Sequence, residues 1–368
     1  MKSIKLFEEY ISSIKKENSK VTPEISDEIS DVDGSQESKS TETQNDGVNL
    51  VVITKKPKHG VGGEITELRN SAKKYDVNFF TIDVDKIKYS FDKSGNVTIN
   101  GVGTFSKDKT VFMNRHGILS GFPEPTTTNM TKFNNSLLKS GFSVINDFNV
   151  RNLCIDKFKT FEALEKQKVD TIQTFYIDKS TGLDSIPKVK NFLKENKLEL
   201  PVIVKVIDGS LGIGVFKCQD INILLSLLQY LVQKEGKCII QPLCDIEYDL
   251  RVHVLCKSLY PDKAKLDDFI VIGSMKRDKA EDDFRTNFSI GGAISKYDKL
   301  TKDEIDLAKQ ATKAVGGVWC GIDICYDKIT KKNYVIEVNT TPGLKGITQV
   351  ADEKPTDIVL RHIKETLS

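Results

Sequence analysis

Apolar positions along this chain switch repeatedly between two periods. Residues 50–54 (Leu-Val-Val-Ile-Thr) form a short, continuous, β-branched run, the pattern of a strand buried on both faces. A glycine-containing loop follows, then helical spacing over Glu64–Tyr75, then a second strand at Asn78–Asp83. Residues 88–99 predict a hairpin around Ser94-Gly95-Asn96, 110–115 a strand, 130–140 a helix, 142–147 a strand, and a helix starts near Val150. Alternation of this kind predicts an open, mostly parallel α/β sheet. Gly60, Gly62 and Gly63 do not fit a dinucleotide-binding spacing and read as a plain strand–helix turn.

Past residue 150 the pattern changes. Helix 156–169, strand 171–177 and helix 187–197 lead into 200–218, where two apolar strands enclose Asp-Gly-Ser-Leu-Gly-Ile-Gly. That is a hairpin with a glycine tip rather than a strand–helix phosphate loop. Gly209, Gly212 and Gly214 would let backbone N–H groups close over phosphate oxygens without obstruction by a Cβ. Lys205 interrupts the same apolar strand, and its charge needs an anion or a wet edge. Helix 220–234 and strand 238–242 follow. Glu247–Cys256 and Phe269–Met275 predict antiparallel strands around a polar insertion at 258–268. A basic loop carries Lys276, Arg277, Arg285 and Asn287, then come helix 301–315, a hairpin over 321–339, and a helix near 355–366.

The hairpin holds the most pointed chemistry. With its loop, Tyr326–Lys332, centred on Thr330, Asp323 and Glu337 stand opposite each other, and two carboxylates so placed repel. Alternation puts Asn339 on the face of Glu337. Three oxygen donors suit Mg²⁺, which keeps waters and takes substrate phosphates as further ligands. An ordinary solvated acidic face fits the same residues.

Composition adds limits. A chain of 368 residues is long enough for two or three domains, and a net charge of +2 makes no case for nucleic acid as a partner. No apolar run is long enough to span a membrane, and the opening residues do not read as a secretory signal. Seven scattered cysteines without a paired spacing fit a reducing cytoplasm. Ile4, Phe7, Ile11 and Ile14 mark a short amphipathic helix that could dock on a partner, and 17–47 reads as an acidic, disordered tether. The four histidines are dispersed, so none is assigned a role.

Taken in order, these segments resemble the ATP-grasp ligases, most closely the RimK branch of carboxylate–amine ligases, over roughly 49–368. The helix opening Asp-Lys-Phe-Lys is similar to that family's nucleotide-lysine helix and implies Lys157 as an ATP contact. The glycine hairpin implies Lys205, Gly209, Ser210, Gly212 and Gly214 at the phosphates. Gln241, Pro242 and Leu243 stand where the family's hinge reads adenine, with Asp249 at the ribose and Arg251 beside it. The loop Phe-Arg-Thr-Asn-Phe-Ser-Ile-Gly-Gly implies Arg285 and Asn287 as catalytic groups. Arg277 and Arg115 would then recognise carboxylates, and Asp323, Glu337 and Asn339 hold the metal.

The resemblance implies an ATP-grasp fold, two α+β subdomains clasping ATP behind a parallel α/β pre-ATP-grasp domain. Its boundaries would fall at 1–48 (helix and linker), 49–150, 151–240 and 241–368. It implies ATP with two Mg²⁺ ions, Mn²⁺ being admissible, and an acyl-phosphate route joining a glutamate-like amino acid to a peptide or protein. A small-metabolite ligase and a non-catalytic nucleotide-binding module are the alternatives, and a homo-oligomer is compatible with either. Pro242, and Ser289-Ile290 where glutamate-ligating relatives carry a basic residue, depart from the family pattern and leave the substrate open.

Overall fold

A computed structural model describes residues 47–55, 63–115, 124–209, 212–278 and 293–368. The predicted helix at 4–16, the tether up to Asp46, Gly60, Gly62, Ser210, Arg285 and Asn287 lie outside them.

The chain opens with β1 (Asn49–Thr54), α1 (Gly63–Lys74), β2 (Asn78–Asp83), β3 (Tyr89–Phe91), β4 (Val97–Ile99), β5 (Gly103–Phe105), β6 (Thr110–Asn114), α2 (Glu124–Lys139), β7 (Ser143–Ile145) and α3 (Phe148–Ile155). Strands β2-β1-β6-β7 form one sheet, parallel throughout, as the alternating pattern predicts. All six residues of β1 are buried because both faces are covered. Leu50 and Val52 pack in one core cluster with Leu68 and Ala72 of α1, while Val51 and Ile53 pack in a second with Phe112, Phe133 and Phe142. The predicted hairpin is present as β3 and β4, with Tyr89 opposite Ile99. A third short strand, β5, joins it, and three residues are too few to carry a readable period. Helix α2 starts six residues before the predicted 130. Pro125 sits in its first turn, where a missing N–H costs nothing.

Next come α4 (Lys157–Lys166), β8 (Phe175–Asp178), α5 (Ile186–Glu195), β9 (Val202–Lys205), β10 (Val215–Cys218), α6 (Ile221–Glu235) and β11 (Lys237–Pro242). Their strands form an antiparallel sheet in the order β10-β9-β11-β8. The Asp156 carboxylate caps α4 by accepting from the Phe158 and Lys159 N–H groups. Helix α6 ends at Gly236, whose φ of 76° any side chain would strain.

The last part holds β12 (Ile246–Cys256), β13 (Phe269–Arg277), β14 (Ile294–Lys296), α7 (Lys302–Ala314), β15 (Trp319–Asp327), β16 (Lys332–Asn339), α8 (Lys345–Val350) and α9 (Pro355–Leu367). The five strands run antiparallel in the order β14-β13-β12-β15-β16. Helix α7 opens on a capping box between Thr301 and Glu304, and the Tyr248 hydroxyl donates to the buried Glu304 carboxylate at 2.6 Å.

Side chains and short backbone bridges tie these sheets together. Val335 of β16 donates its N–H to Asp170 O at 2.9 Å, and the Thr171 hydroxyl donates to Val335 O at 2.9 Å. Asn146, at the end of β7 and with φ of 49°, uses its whole side-chain amide. Its Oδ1 accepts from the N–H groups of Val318 (2.8 Å) and Trp319 (3.2 Å), and its Nδ2 donates to Trp319 O and to Thr340 O (2.6 Å). One residue thus holds the start of β15 and the exit of β16 against the parallel sheet. Asn146→Ala is expected to destabilise the protein by about 3 kcal/mol or more, since each buried group it orphans costs roughly 1–3 kcal/mol. Urea unfolding measures this, and Asn146→Gly, which keeps the backbone relaxed, should lose nearly as much.

Candidate functional site

The β15–β16 hairpin turns over Lys328–Lys331, so plain pairing from the turn would set Asp323 against Ile336. It does not, because the register shifts by one between Asp323 and Ile324. Asp327 pairs with Lys332 and Ile324 with Val335, yet Asp323 pairs with Glu337. Ile336 is the extra residue of a β-bulge, a device that re-aims neighbouring side chains. As a result Ile336 and Glu337 both face one small cavity of about 20 Å³, enough for about one water. Its walls include Lys157, Lys205, Gln241, Thr174 and Phe161.

Two lysines therefore meet one carboxylate in a confined space. Burial pulls the Lys157 ammonium below its ordinary pKa against the opposing pull of Glu337. Burial does the same to Lys205, with Glu337 opposing and the Lys157 charge adding to the drop. This local excess of positive charge is what an anionic group would relieve. Lys157 also secures the glycine hairpin, since its ammonium donates to Ile207 O at 3.3 Å and to Gly209 O. Strands β9 and β10 pair with Lys205 opposite Val215, as the sequence predicts. Gly212 and Gly214 adopt φ of 77° and 76°, and a Cβ on Gly214 would lie 2.9 Å from a Val206 methyl group. Gln241 donates to the Thr174 hydroxyl at 2.7 Å, Pro242 closes β11, and Leu243 follows it half-buried.

Asp323 is not left facing Glu337 unscreened. Its Oδ1 accepts from Arg251 Nε and its Oδ2 from an Arg251 terminal nitrogen, both at 2.7 Å, while Arg277 reaches Oδ2 at 2.9 Å. Arg277 also donates to Asp249 at 2.6 Å. Burial works against the Asp323 charge, but the two guanidinium groups outweigh it and hold its pKa below the usual carboxylate range. Three residues expected at the nucleotide or substrate are engaged within the sheet here. Asp249 is 2% exposed and accepts from Arg277. Arg277 serves two buried carboxylates, and Arg251 neutralises Asp323. The predicted repulsion of Asp323 and Glu337 is offset for the same reason. A single-hairpin reading cannot see the arginines of β12 and β13.

Arg115 is also placed differently from its expected role in carboxylate recognition. Its guanidinium is buried, donates to Glu64 at 2.5 Å and to Pro342 O at 3.0 Å, and lies 5.4 Å from the Trp319 ring centroid. The other Glu64 oxygen accepts from Leu344 N–H at 2.9 Å. Glu64 and Arg115 thus pin the loop 342–344, which follows Asn339. Glu64 went unassigned in the sequence, since its partner Arg115 lies 51 positions away and only the fold brings them together. His253 is fully buried, and burial, reinforced by Arg251 and Arg115, pushes its pKa down to about 3. It is neutral there and adds no charge.

The donor set suits a hard divalent cation. Glu337 is half-buried beside the lysines, and Asn339 carries a buried amide nitrogen without a hydrogen-bond partner. Turning that amide over offers an oxygen in the same place. Among the described residues no group of three or more His, Cys, Asp or Glu side chains is arranged to hold a metal, so an amide oxygen would have to complete this set. All seven cysteines are free, and no described helix is long and apolar enough to cross a membrane.

Comparison with known proteins places this geometry. Residues 154–361 match the family model of the RimK-like ATP-grasp domain. A protein from Methanocaldococcus jannaschii named coenzyme gamma-F420-2:alpha-L-glutamate ligase is 31% identical over 238 residues, 63% of this chain and 75% of its own. A probable alpha-L-glutamate ligase 1 from a Shewanella species is 27% identical over 217 residues, and the chain spans 63% of that relative's length. In fold, the ATP-grasp ligase PsnB, solved with a variant of its minimal precursor, Mg and ADP, aligns with a TM-score of 0.65 at 15% identity, covering 86% of this chain and 98% of its own. D-alanyl-alanine synthetase A from Vibrio cholerae aligns with a TM-score of 0.58 at 12% identity, covering 87% and 98%. The parallel sheet and the two larger antiparallel sheets described above are those of the ATP-grasp fold.

Arg277→Gln is expected to cost about 3–5 kcal/mol in denaturant unfolding, because it strips a buried partner from both Asp249 and Asp323. The linkage has a definite sign. A carboxylate whose folded pKa is depressed stabilises above its unfolded value and loses that contribution as pH falls through the folded one. The difference between wild type and Arg277→Gln should therefore be full at neutral pH and shrink below about pH 4.

Proposed function

The chain belongs to the RimK-like ATP-grasp family, and from that premise we propose that it is an ATP- and Mg²⁺-dependent carboxylate–amine ligase. The observation that carries the reading is the pair of partly desolvated lysines, Lys157 and Lys205, gathered around Glu337 beneath a glycine hairpin. In this reading the hairpin and the two ammonium groups bind the phosphates of ATP. Gln241, Pro242 and Leu243 line the adenine side. Asp323, Glu337 and Asn339 would hold Mg²⁺, which supplies charge neutralisation for the phosphate oxygens.

A substrate carboxylate oxygen attacks the γ-phosphorus, the bond to the β-phosphate oxygen breaks, and ADP leaves. An amine then attacks the acyl carbon, loses a proton, and expels phosphate to give the amide. The chain's own work is orientation and charge. Lys157 and Lys205 offset the phosphate charge, and the hairpin that Lys157 secures excludes water. Arg285 and Asn287 take their roles, stabilising the acyl phosphate and the oxyanion, from the resemblance alone. The domain limits at 49, 151 and 241 belong to the same proposal.

A peptide or protein substrate is the first reading, in keeping with a PsnB structure that holds the precursor peptide PsnA2. The relative named for coenzyme F420 supports a small-molecule substrate as the second reading.

Lys205→Ala is expected to weaken ATP binding at least tenfold by calorimetry, about 1.4 kcal/mol, with little loss of thermal stability, since a desolvated charge is removed. Wild-type affinity should fall at alkaline pH before the ordinary lysine value of 10.5 is reached, because both pKa values are lowered and the neutral amine cannot pair with phosphate.

With ATP, Mg²⁺ and hydroxylamine, a panel of acidic amino acids and peptides should yield ADP and a hydroxamate, and Arg285→Ala should lose the hydroxamate with ATP affinity retained. Tight ATP binding with no ADP or hydroxamate from any carboxylate would overturn the ligase in favour of a nucleotide-binding module.

A further inference from the structure

Asp323 and Glu337 pair across the β15–β16 ladder, yet the structure treats them differently. Glu337 faces the lysine-lined cavity, whereas Asp323 spends both oxygens on guanidinium groups. Those two arginines are not equivalent. The Arg277 side chain is 4% exposed and bridges Asp249 and Asp323, so moving it would take a positive charge from two buried carboxylates at once. The Arg251 side chain is 18% exposed and, among the described residues, pairs with Asp323 alone. Arg251 also stands directly opposite Asp323 in the β12–β15 register, so its fork can swing away without any shift of the strands.

The surrounding charge favours such a swing only when an anion arrives. A bare divalent cation would displace the Arg251 guanidinium from Asp323 and offer it no acceptor in return. Phosphate oxygens give that guanidinium a bidentate acceptor as good as the carboxylate it leaves.

We propose that Arg251 is a positioning residue that occupies Asp323 as an exchangeable counter-ion, keeping this ligand from free divalent cations until nucleotide phosphate draws the guanidinium away. The inference rests on the reading of Asp323, Glu337 and Asn339 as metal ligands. It makes metal binding conditional on nucleotide through one named side chain.

The test is a Mn²⁺ titration of the full chain, followed by the electron paramagnetic resonance signal of the free ion. Without nucleotide, Arg251→Gln should bind Mn²⁺ about tenfold more tightly than wild type, and adding Asp323→Asn to it should remove the gain. Arg251→Lys keeps the charge but loses the fork, and should fall between the two. A non-hydrolysable ATP analogue should bring wild type close to Arg251→Gln. The proposal is overturned when both Arg251 variants bind Mn²⁺ no more tightly than wild type while the analogue still induces binding that Glu337→Gln abolishes; in that case the metal site stands. When no state shows Glu337-dependent Mn²⁺ binding, the metal reading itself fails and the inference goes with it.

Discussion

A charge placed inside a β-sheet must meet an opposite charge at hydrogen-bond distance, and the centre of the five-stranded sheet depends on that constraint. Asp249, Arg251, Arg277 and Asp323 come from three adjacent strands and neutralise one another at 2.6–2.9 Å. Removing a member weakens the compensation of its partner in a poorly solvated interior, where the cost exceeds that of a surface pair. The quartet therefore fixes the register of β13, β12 and β15. That register carries through the bulge to β16 and sets where Glu337 points.

A second constraint acts from outside this sheet. The loop after Asn339 is held by residues of the parallel sheet and its helix: Asn146 on Thr340 O, Arg115 on Pro342 O, and Glu64 on Leu344 N–H. Arg115 was expected to touch substrate and instead braces the segment that carries the proposed metal ligand. Its burial beside Trp319 explains why, because an arginine so desolvated needs a fixed carboxylate, and Glu64 supplies it. The described part of the N-terminal layer thus contributes rigidity to the site.

How much of this was legible in the chain follows from the range of each interaction. Strands, helices and both functional hairpins obey local periodicity, so they can be read directly. The opposition of Asp323 and Glu337 was read from a loop centred on Thr330, and it holds for a different reason. The turn is centred half a residue earlier, and a bulge at Ile336 restores the pairing. A bulge has no period and leaves no mark on hydrophobic spacing. The arginine partners of Asp323 lie 72 and 46 positions away along the sequence, so only the folded sheet order could reveal them. Asn146 went unnoticed because a lone asparagine after a strand is most often a turn residue, and its side-chain hydrogen bonds all reach more than 170 positions away.

Lys157 joins these two levels. It sits at the start of a helix recognisable from sequence, yet its ammonium reaches across to backbone carbonyls of the glycine hairpin as well as to the Glu337 cavity. Gly212 and Gly214 give the hairpin left-handed backbone that only glycine adopts without strain, and Ile213 between them is 65% exposed at the tip. The β9–β10 ladder and the Val206 N–H bond to Gly214 O hold the base of the hairpin, and Lys157 holds its first turn. The lysine that would hold a phosphate is thus also a support of the segment that would cover it. Recruiting its ammonium to an anion competes with its bond to Gly209 O. The position of the hairpin and the occupancy of the cavity are therefore coupled through a single side chain.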